Sequence, residues 1–442
     1  MKPTPRRPLQ RLLSLACEVE PREVSATLTS FLLVFTLMAA YYLLRPVRDA
    51  MASNWSDAEV SWLWTFTFFF STAAVSLYGA AVARIRLQHL VPGLYGGFAL
   101  SFVLFYVAAS ADTRIPLIDK AFYVWISVFS LFHISVFWSL MADCFSRAQS
   151  KRLFGFIGAG ASVGAIGGPA LVTLLAGDRG TEPLLLIAAL MLVLTLPLIT
   201  VLQRQQNGAP QGSPEQTPAG ALAALGGNPF AGFSAFRRNR YLWGIALFIF
   251  LYTTISSFVY FELKNLLADY SEGRRAQIWA SMDLVVNTLT VLIAAFATGR
   301  MANHLGLPFT LASVPVVICA GMLLLAAAPV VAVVVVVQIA RRAGNYAISR
   351  PAREMLFTAV DRETRFKAKP VIDIVVYRGG DMLNAWAFTA LTQGFGLGMA
   401  ALAVIGAGIA ACWGLTGIYL GRHFEREHGQ SAASTATSAP NS

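Results

Sequence analysis

Apolar stretches of about 20 residues recur along this sequence, and they constrain its fold more than any other feature. A helix needs about 20 predominantly apolar residues to cross the roughly 30 Å hydrocarbon core of a bilayer. Twelve stretches meet this requirement, at residues 26–44, 60–83, 90–111, 121–142, 153–177, 183–202, 241–261, 278–299, 308–328, 330–348, 370–393 and 396–421. The sequence therefore predicts an all-α polytopic membrane protein that is surrounded by the lipid bilayer.

The composition excludes the main soluble classes of protein. Hydrophobic residues make up 56% of the chain and charged residues only 13%, with a mean hydropathy of +0.60. A soluble domain carries roughly 25% charged residues, which excludes a cytosolic enzyme, a secreted disulfide scaffold and a disordered chain. The four cysteines form no C-x-x-C pair and the five histidines lack metal-ligand spacing, so no metal or other cofactor is predicted. No catalytic motif is found within the spans, and no G-x-x-x-x-G-K-[ST] motif of an ATPase motor is present, so an enzyme is not predicted.

Two boundaries between spans depend on turn residues. The uncharged run at 305–340 is too long for one crossing and too short for two. Its second crossing must therefore continue past Arg341, with Pro329 at the turn. The glycine-rich segment 394–398 predicts a tight turn before the last span.

The positions of lysine and arginine predict the orientation, because these residues resist translocation across the membrane. With both termini cytoplasmic, 25 of the 34 basic residues lie in cytoplasmic segments and 8 in external ones. The longest basic run, from Arg341 to Lys369, is expected between spans ten and eleven. The formal charge of +11 follows from this topology, so nucleic-acid binding is not predicted. We expect an integral protein of the bacterial inner membrane.

A polar segment rich in Gly, Pro, Ala, Gln and Ser divides the spans into two groups of six. We expect a cytoplasmic tail at 1–25, a six-helix bundle at 26–202, a cytoplasmic linker at 203–240, a second six-helix bundle at 241–421 and a disordered tail at 422–442. Many transporters use two pseudo-equivalent bundles to expose one central site to each side in turn. The arrangement resembles the major facilitator superfamily over the whole transmembrane region.

Span five carries the pattern G-x8-G-x3-G-P, at Gly155, Gly164, Gly168 and Pro169. The pattern is similar to the first part of an antiporter motif of that superfamily. Gly160, Gly164 and Gly168 also recur every fourth residue, which places them on one helix face where a neighbouring helix can approach closely. The stripe predicts helix packing, and an antiporter role is the alternative interpretation.

Charged residues at the end of the first span are the first candidates for a binding site. Arg45, Arg48 and Asp49 follow Tyr42 directly. Tyrosine and arginine also anchor helices at the membrane interface, so anchoring and ligand contact are both open. In the binding interpretation, Tyr42, Arg45 and Arg48 contact the substrate, and Asp49 forms a charge pair.

Charged residues deeper in the spans favour a functional interpretation, because a charge in the hydrocarbon core is costly. Asp283 in span eight has Asn287 one turn further along the same face, and it either carries a coupling proton or ion or pairs with a buried arginine. Arg378 and Asp381 in span eleven either satisfy one another or face a wet cavity. His133 in span four is more typical of a satisfied interior histidine than of a proton relay.

Three segments carry more specific motifs. Residues 42–49, Y-L-L-R-P-V-R-D, are similar to Y-x-L-L-R-x-x-K-D, and residues 137–154 contain F-W and K-R-L-F elements. Residues 351–373 contain P-A-R-E-M and then D-R-E-T-R-F-K-A-K-P-V-I-D, close to P-x-K-E-M and D-E-E-x-K-x-K-x-K-x-x-I-D. Together they resemble the ATP/ADP translocase family, the nucleotide antiporters of plastids and intracellular bacteria. Two family lysines correspond to Arg48, which keeps the charge, and to Asp381, which reverses it.

These features predict a secondary active transporter that moves an anionic solute by alternating access. The resemblance implies a nucleotide or phosphorylated metabolite as solute. Arg45, Arg48 and Arg378 are expected to attract the anion, while Asp283 and Asp381 pair with them in the empty site or carry a coupling proton. Asn287 is expected to contact the solute. A counter-solute is the alternative coupling partner. A lipid or glycolipid flippase and a membrane sensor that does not transport are the alternative functions.

Overall fold

The computed structural model describes residues 19–82, 84–110, 115–176, 181–207, 240–294, 299–357, 360 and 372–437. These ranges are helical almost throughout and contain no β-strand. Within them, eleven helices are long and apolar enough to cross a membrane. The expected all-α polytopic fold is confirmed.

The helices are numbered here by span. Those of the first half are α1 Val24–Met51, α2 Asp57–Val82, α3 Leu87–Ala109, α4 Pro116–Cys144, α5 Arg147–Leu175 and α6 Glu182–Asn207. Those of the second half include α7 Arg240–Leu266, α8 Glu272–Ile293, α9 Gly299–Ala327, α10 Val331–Leu356 and α12 Met399–Thr437. The remaining segment, α11, spans residues 372–394 and joins a π-helical turn at each end to the α-helix Gly380–Thr389.

The two turn-dependent boundaries are confirmed. Pro329 lies in the break between the end of α9 and the start of α10, and α10 continues past Arg341. Gly396 has φ +64° in the turn between α11 and α12, a left-handed conformation that glycine adopts without steric cost.

The first part of the basic run that begins at Arg341 is helical and mostly buried. Arg341, Arg342, Arg350 and Arg353 lie within α10, and all but Arg350 are 5% exposed or less. Polar neighbours inside the helix bundle hydrogen bond to Arg341, which allows a helix to carry the charge at a buried position. The rest of the run, from residue 362 onward, lies outside the described residues.

The chain divides into two compact units. The first comprises the described residues of Met1–Ala52, Phe69–Gly226 and Tyr270–Leu284, and the second those of Ser53–Phe68, Gly227–Asp269 and Val285–Ser442. The first unit thus includes the beginning of α8, and the second includes the beginning of α2. Each unit is built from both halves of the sequence.

Within the first unit, α1 and α5 approach closely along the glycine stripe. A Cβ atom added to Gly160 would lie 2.6 Å from the carbonyl oxygen of Phe31, and one added to Gly168 would lie 2.6 Å from that of Ala39. Gly164 faces the carbonyl of Phe35 in the same way. Pro169 follows within α5. Any side chain on this face would separate the two helix backbones.

Candidate functional site

The end of α1 carries a charged cluster in the first unit, formed by Arg45, Arg48, Asp49 and Asp283. Arg48 donates from Nε and from Nη2 to the Oδ1 atom of Asp49, at 2.9 and 2.6 Å. Its Nη1 atom donates to the Ser127 hydroxyl of α4 at 3.2 Å. The guanidinium of Arg48 is therefore held between a carboxylate of its own helix and a hydroxyl of a neighbouring one.

Arg45 connects the two carboxylates of the cluster. Its Nε atom lies 3.7 Å from Oδ2 of Asp49, and its Nη1 atom lies 3.9 Å from Oδ1 of Asp283 on α8. Arg45 and Asp49 are four residues apart, so one helix face carries both. The guanidinium of Arg45 also lies over the ring of Tyr42, at 5.7 Å from its centroid.

Burial makes the charge balance of this cluster important. Asp49 and Asp283 are each 2% exposed, and the side chains of Arg45 and Arg48 are 16% and 14% exposed. Two guanidiniums thus face two carboxylates, and the four formal charges cancel. Pairing offsets part of the cost of removing these charges from water. The two arginines are thus more exposed than the carboxylates that pair with them.

Aromatic side chains of α1 and α4 border the cluster. The Arg48 guanidinium lies 5.4 Å from the ring centroid of Tyr123, and Tyr41 stacks on His133 at 4.4 Å between centroids. His133 is 4% exposed, which confirms its interior position. Its Nδ1 atom has no hydrogen-bond partner among the described residues. The ring also contacts that of Phe129, at 5.5 Å between centroids.

The other predicted site residues belong to the second unit. Arg378 and Asp381 lie on α11 and are half-buried, and Asn287 on α8 is 8% exposed. No hydrogen bond, and no ion pair within 4.0 Å, joins Arg378 to Asp381 in the described part of the chain. The interpretation that Arg378 and Asp381 pair with one another is therefore not supported by a hydrogen bond or ion pair between them.

A second cluster, which the sequence did not reveal, surrounds Arg341 on α10. Arg341 is 4% exposed and donates to the Oε1 atom of Gln338 from Nε at 3.0 Å and from Nη2 at 2.7 Å. Its Nη1 atom donates to the Tyr252 hydroxyl of α7 at 3.2 Å. The Tyr252 ring contacts Tyr377 of α11, and the guanidinium of Arg353 lies over Tyr377, at 5.7 Å from its centroid.

A buried ion pair joins the start of α2 to the end of α7 in the second unit. Lys264 Nζ lies 3.0 Å from Oδ1 of Asp57 and donates to the carbonyl oxygen of Trp55 at 2.7 Å. Thr392 of α11 donates to the other oxygen of Asp57 at 2.9 Å. This pair fixes the first turn of α2 against α7 and α11.

Comparison of sequences identifies the family. The sequence model of the Major Facilitator Superfamily matches residues 30–349, which reach from α1 into α10. The chain belongs to the major facilitator superfamily. Comparison with curated proteins found no relative that matches the sequence. Membership of the superfamily makes the chain an integral membrane protein of transporter type, with a small-molecule substrate.

Solved structures of other major facilitator proteins share the fold. The nucleoside transporter NupG aligns with a TM-score of 0.63 and 12% identity, over 91% of this chain and 99% of NupG. A POT family transporter in complex with a thioalcohol-conjugated peptide aligns with a TM-score of 0.64 and 12% identity, over 90% and 96%. A bacterial homolog of the human lysosomal transporter Spinster aligns with a TM-score of 0.54 and 12% identity, over 92% and 97%.

In this major facilitator protein, the described residues include no group of three or more His, Cys, Asp or Glu side chains arranged to hold a metal ion. The polar groups that converge in the two clusters are instead guanidiniums, carboxylates, hydroxyls and aromatic rings. Such groups bind and release a charged solute without forming covalent bonds.

Proposed function

We propose that this protein is a secondary transporter that moves an anionic solute by alternating access. The observation that carries the proposal is the buried cluster of Arg45, Arg48, Asp49 and Asp283. Ionisable residues within membrane spans are costly and mark solute or ion pathways. Two arginines that are paired with carboxylates yet partly accessible can exchange those carboxylates for an anionic group of the solute.

The carboxylates give the site a defined empty state. When no anion is present, Asp49 and Asp283 neutralise the two arginines, which keeps the buried charge low. When an anion binds to Arg45 or Arg48, a displaced carboxylate can take up a proton. Such an exchange would couple solute movement to a proton or to a counter-solute.

A nucleotide or phosphorylated metabolite is the solute class that we favour. The first translocase-like motif, residues 42–49, contains three of the four cluster residues. The arginine fork at Arg48, in place of the family lysine, suits bidentate binding of a phosphate. Arg378, the half-buried arginine of α11, is a further candidate contact for the anion.

Uptake by proteoliposomes tests the proposal. Purified protein would be reconstituted and screened for counterflow of labelled nucleotides, phosphorylated metabolites and organic anions, with nucleosides as uncharged probes. We expect flux of at least one anion, and Arg48→Ala and Arg378→Ala should each abolish it, since each removes a solute contact. Arg274→Ala is the matched control, because Arg274 is exposed, hydrogen bonds to Gln277 and belongs to neither cluster.

The outcomes separate the competing functions. Full flux in both the Arg48 and the Arg378 variant, with normal reconstitution, would remove these residues from the site. Movement of labelled phospholipid between leaflets without flux of a soluble anion would favour the flippase. Saturable anion binding without flux would favour the sensor.

A further inference from the structure

Arg341 is a buried cation whose hydrogen-bond partners are all neutral. Its three hydrogen bonds go to the amide of Gln338 and the hydroxyl of Tyr252, and among the described residues it has no ion pair within 4.0 Å. A buried charge is costly unless an opposite charge compensates it. The cluster at α1 differs in this respect, because carboxylates already pair with its arginines.

The geometry around Arg341 leaves donors for an anion. A guanidinium has five N–H groups, and the hydrogen bonds of Arg341 to the described residues use three of them, which leaves one on Nη1 and one on Nη2. The Tyr252 oxygen accepts from Nη1, so its own proton remains available to donate. An oxyanion next to both groups could therefore accept from the guanidinium and from the phenol.

The neighbouring side chains provide further contacts around Arg341. Tyr252 and Tyr377 are in ring contact at 6.0 Å between centroids, and the guanidinium of Arg353 lies over Tyr377. Tyr377, Arg378 and Asp381 are half-buried, so they are the members of this region that solvent reaches. Asp381 lies within electrostatic range of both Arg341 and Arg378, yet it makes no hydrogen bond or close ion pair among the described residues.

We propose that Arg341 and the hydroxyl of Tyr252 form an anion-binding site within the second unit. Its ligand is an oxyanion group, a phosphate or a carboxylate, of the transported solute. The assignment of this group to the transported solute rests on the proposed function. Asp381 compensates Arg341 over a longer distance when the site is empty. The π-helical turn Asn345–Ser349, which follows Arg341 in α10, is of a kind that occurs frequently at functional sites.

Anion binding by the purified full-length protein tests the assignment. Thermal unfolding would be followed in detergent against increasing inorganic phosphate and, separately, succinate, at constant ionic strength maintained with chloride. The wild type should be stabilised in a saturable manner by one of these anions. Arg341→Gln should remove the part of the stabilisation that this site provides, while the cluster at α1 stays intact. Tyr252→Phe, which keeps the ring and removes only the hydroxyl, should weaken apparent affinity roughly tenfold or more, as expected for a hydrogen bond to a charged group.

Arg350→Gln is the matched control, since Arg350 is an exposed arginine of the same helix, and it should retain wild-type affinity. Size-exclusion chromatography and the unfolding midpoint without anion report whether each variant folds. If Arg341→Gln and Tyr252→Phe are folded and bind the anion as tightly as the wild type, the site is overturned, while a transporter that uses Arg45 and Arg48 still stands. If the wild type neither binds nor transports any anion, the proposed function falls together with the site.

Discussion

At the scale of single residues, the buried carboxyl groups of this protein differ in their hydrogen bonding, and Glu262 differs most clearly from Asp49 and Asp57. It is 1% exposed on α7, and neither of its carboxyl oxygens has a hydrogen-bond partner among the described residues. By contrast, Asp49 accepts from Arg48, and Asp57 accepts from Thr392. A buried polar group without a partner costs about 1–3 kcal/mol. Glu262 is therefore expected to lower the free energy of unfolding.

Replacing Glu262 by Met should raise the free energy of unfolding by about 1–3 kcal/mol, because the polar group without a partner is removed while a long side chain remains. Unfolding of the purified variant in detergent, followed by circular dichroism against denaturant, measures the change. Glu262→Gln places a polar amide at the same position and should therefore raise the free energy of unfolding very little. A lower midpoint for Glu262→Met would show that the carboxyl group stabilises the fold.

Arg341 and Arg45 illustrate why residue roles were harder to predict than spans. The sequence placed Arg341 within span ten and also at the start of a cytoplasmic basic run, because hydropathy does not indicate whether an arginine is buried against polar partners. At its buried position Arg341 also donates a hydrogen bond to Tyr252 of another helix. The nearest available signal was Gln338, three residues earlier and hence on the same helix face. The pairing of Arg45 with Asp283 likewise joins residues far apart in the sequence, which no local spacing specifies.

At the scale of whole helices, the apolar lengths and the turn residues were sufficient to predict the architecture. The positions of Pro329 and Gly396 between spans follow from backbone chemistry that is local to those residues. The π-helical turns of α10 and α11 have no comparable sequence signal, because they depend on tertiary packing. The glycine stripe of α5 could be predicted only in part, because its spacing specified a packing face but not the partner helix.

Gly164→Ala should lower the free energy of unfolding by about 1–3 kcal/mol, because the added methyl group overpacks the contact with the Phe35 carbonyl. Gly97→Ala is the control, since a Cβ there meets no atom within 4 Å. That variant should be neutral or more stable by up to about 1 kcal/mol, owing to helix propensity. Denaturant midpoints of the two variants in the same detergent make the comparison. Equal midpoints would mean that α1 and α5 can separate without cost.

Glu23 links the start of α1 to α5 and should make stability depend on pH. It accepts from Gln149 and from Arg152, each at 2.9 Å. Burial alone would raise the pKa of Glu23, but the hydrogen bonds from the Glu20 backbone, Arg152 and Gln149 together lower it below the ordinary value of 4.5. A lowered pKa means that this contribution is present above that value and is lost as the pH falls through the folded-state pKa.

The difference in unfolding midpoint between the wild type and Glu23→Gln should therefore be constant near pH 7 and should shrink below about pH 4.5. Thermal unfolding in matched buffers across this range measures it. Glu425→Gln, which alters a carboxylate on α12, controls for the general loss of stability in acid. A difference that stays constant down to pH 3 would show that the Glu23 carboxylate has the same pKa in the folded and unfolded protein.

At the scale of the whole molecule, the predicted topology has both termini in the cytoplasm. Cysteine labelling tests it in a background without the native cysteines. Asp269→Cys, between α7 and α8, should react with a membrane-impermeant maleimide in intact cells, whereas His89→Cys, near the start of α3, should react only after lysis. Both positions are exposed, so reactivity reports the side of the membrane. The reverse pattern would invert the orientation.

The interleaving of the two units has a consequence for how the protein can be divided. If the gene were cut within the linker, the first fragment would lack Asp283, which approaches Arg45, and the second would lack Asp57, which pairs with Lys264. When expressed alone, the first fragment would contain Arg45 without the Asp283 carboxylate, and the second would contain Lys264 without the Asp57 carboxylate. Neither fragment should therefore accumulate as folded protein when it is produced alone. When both fragments are produced in one cell, each supplies the missing counterion of the other, and folded protein should accumulate.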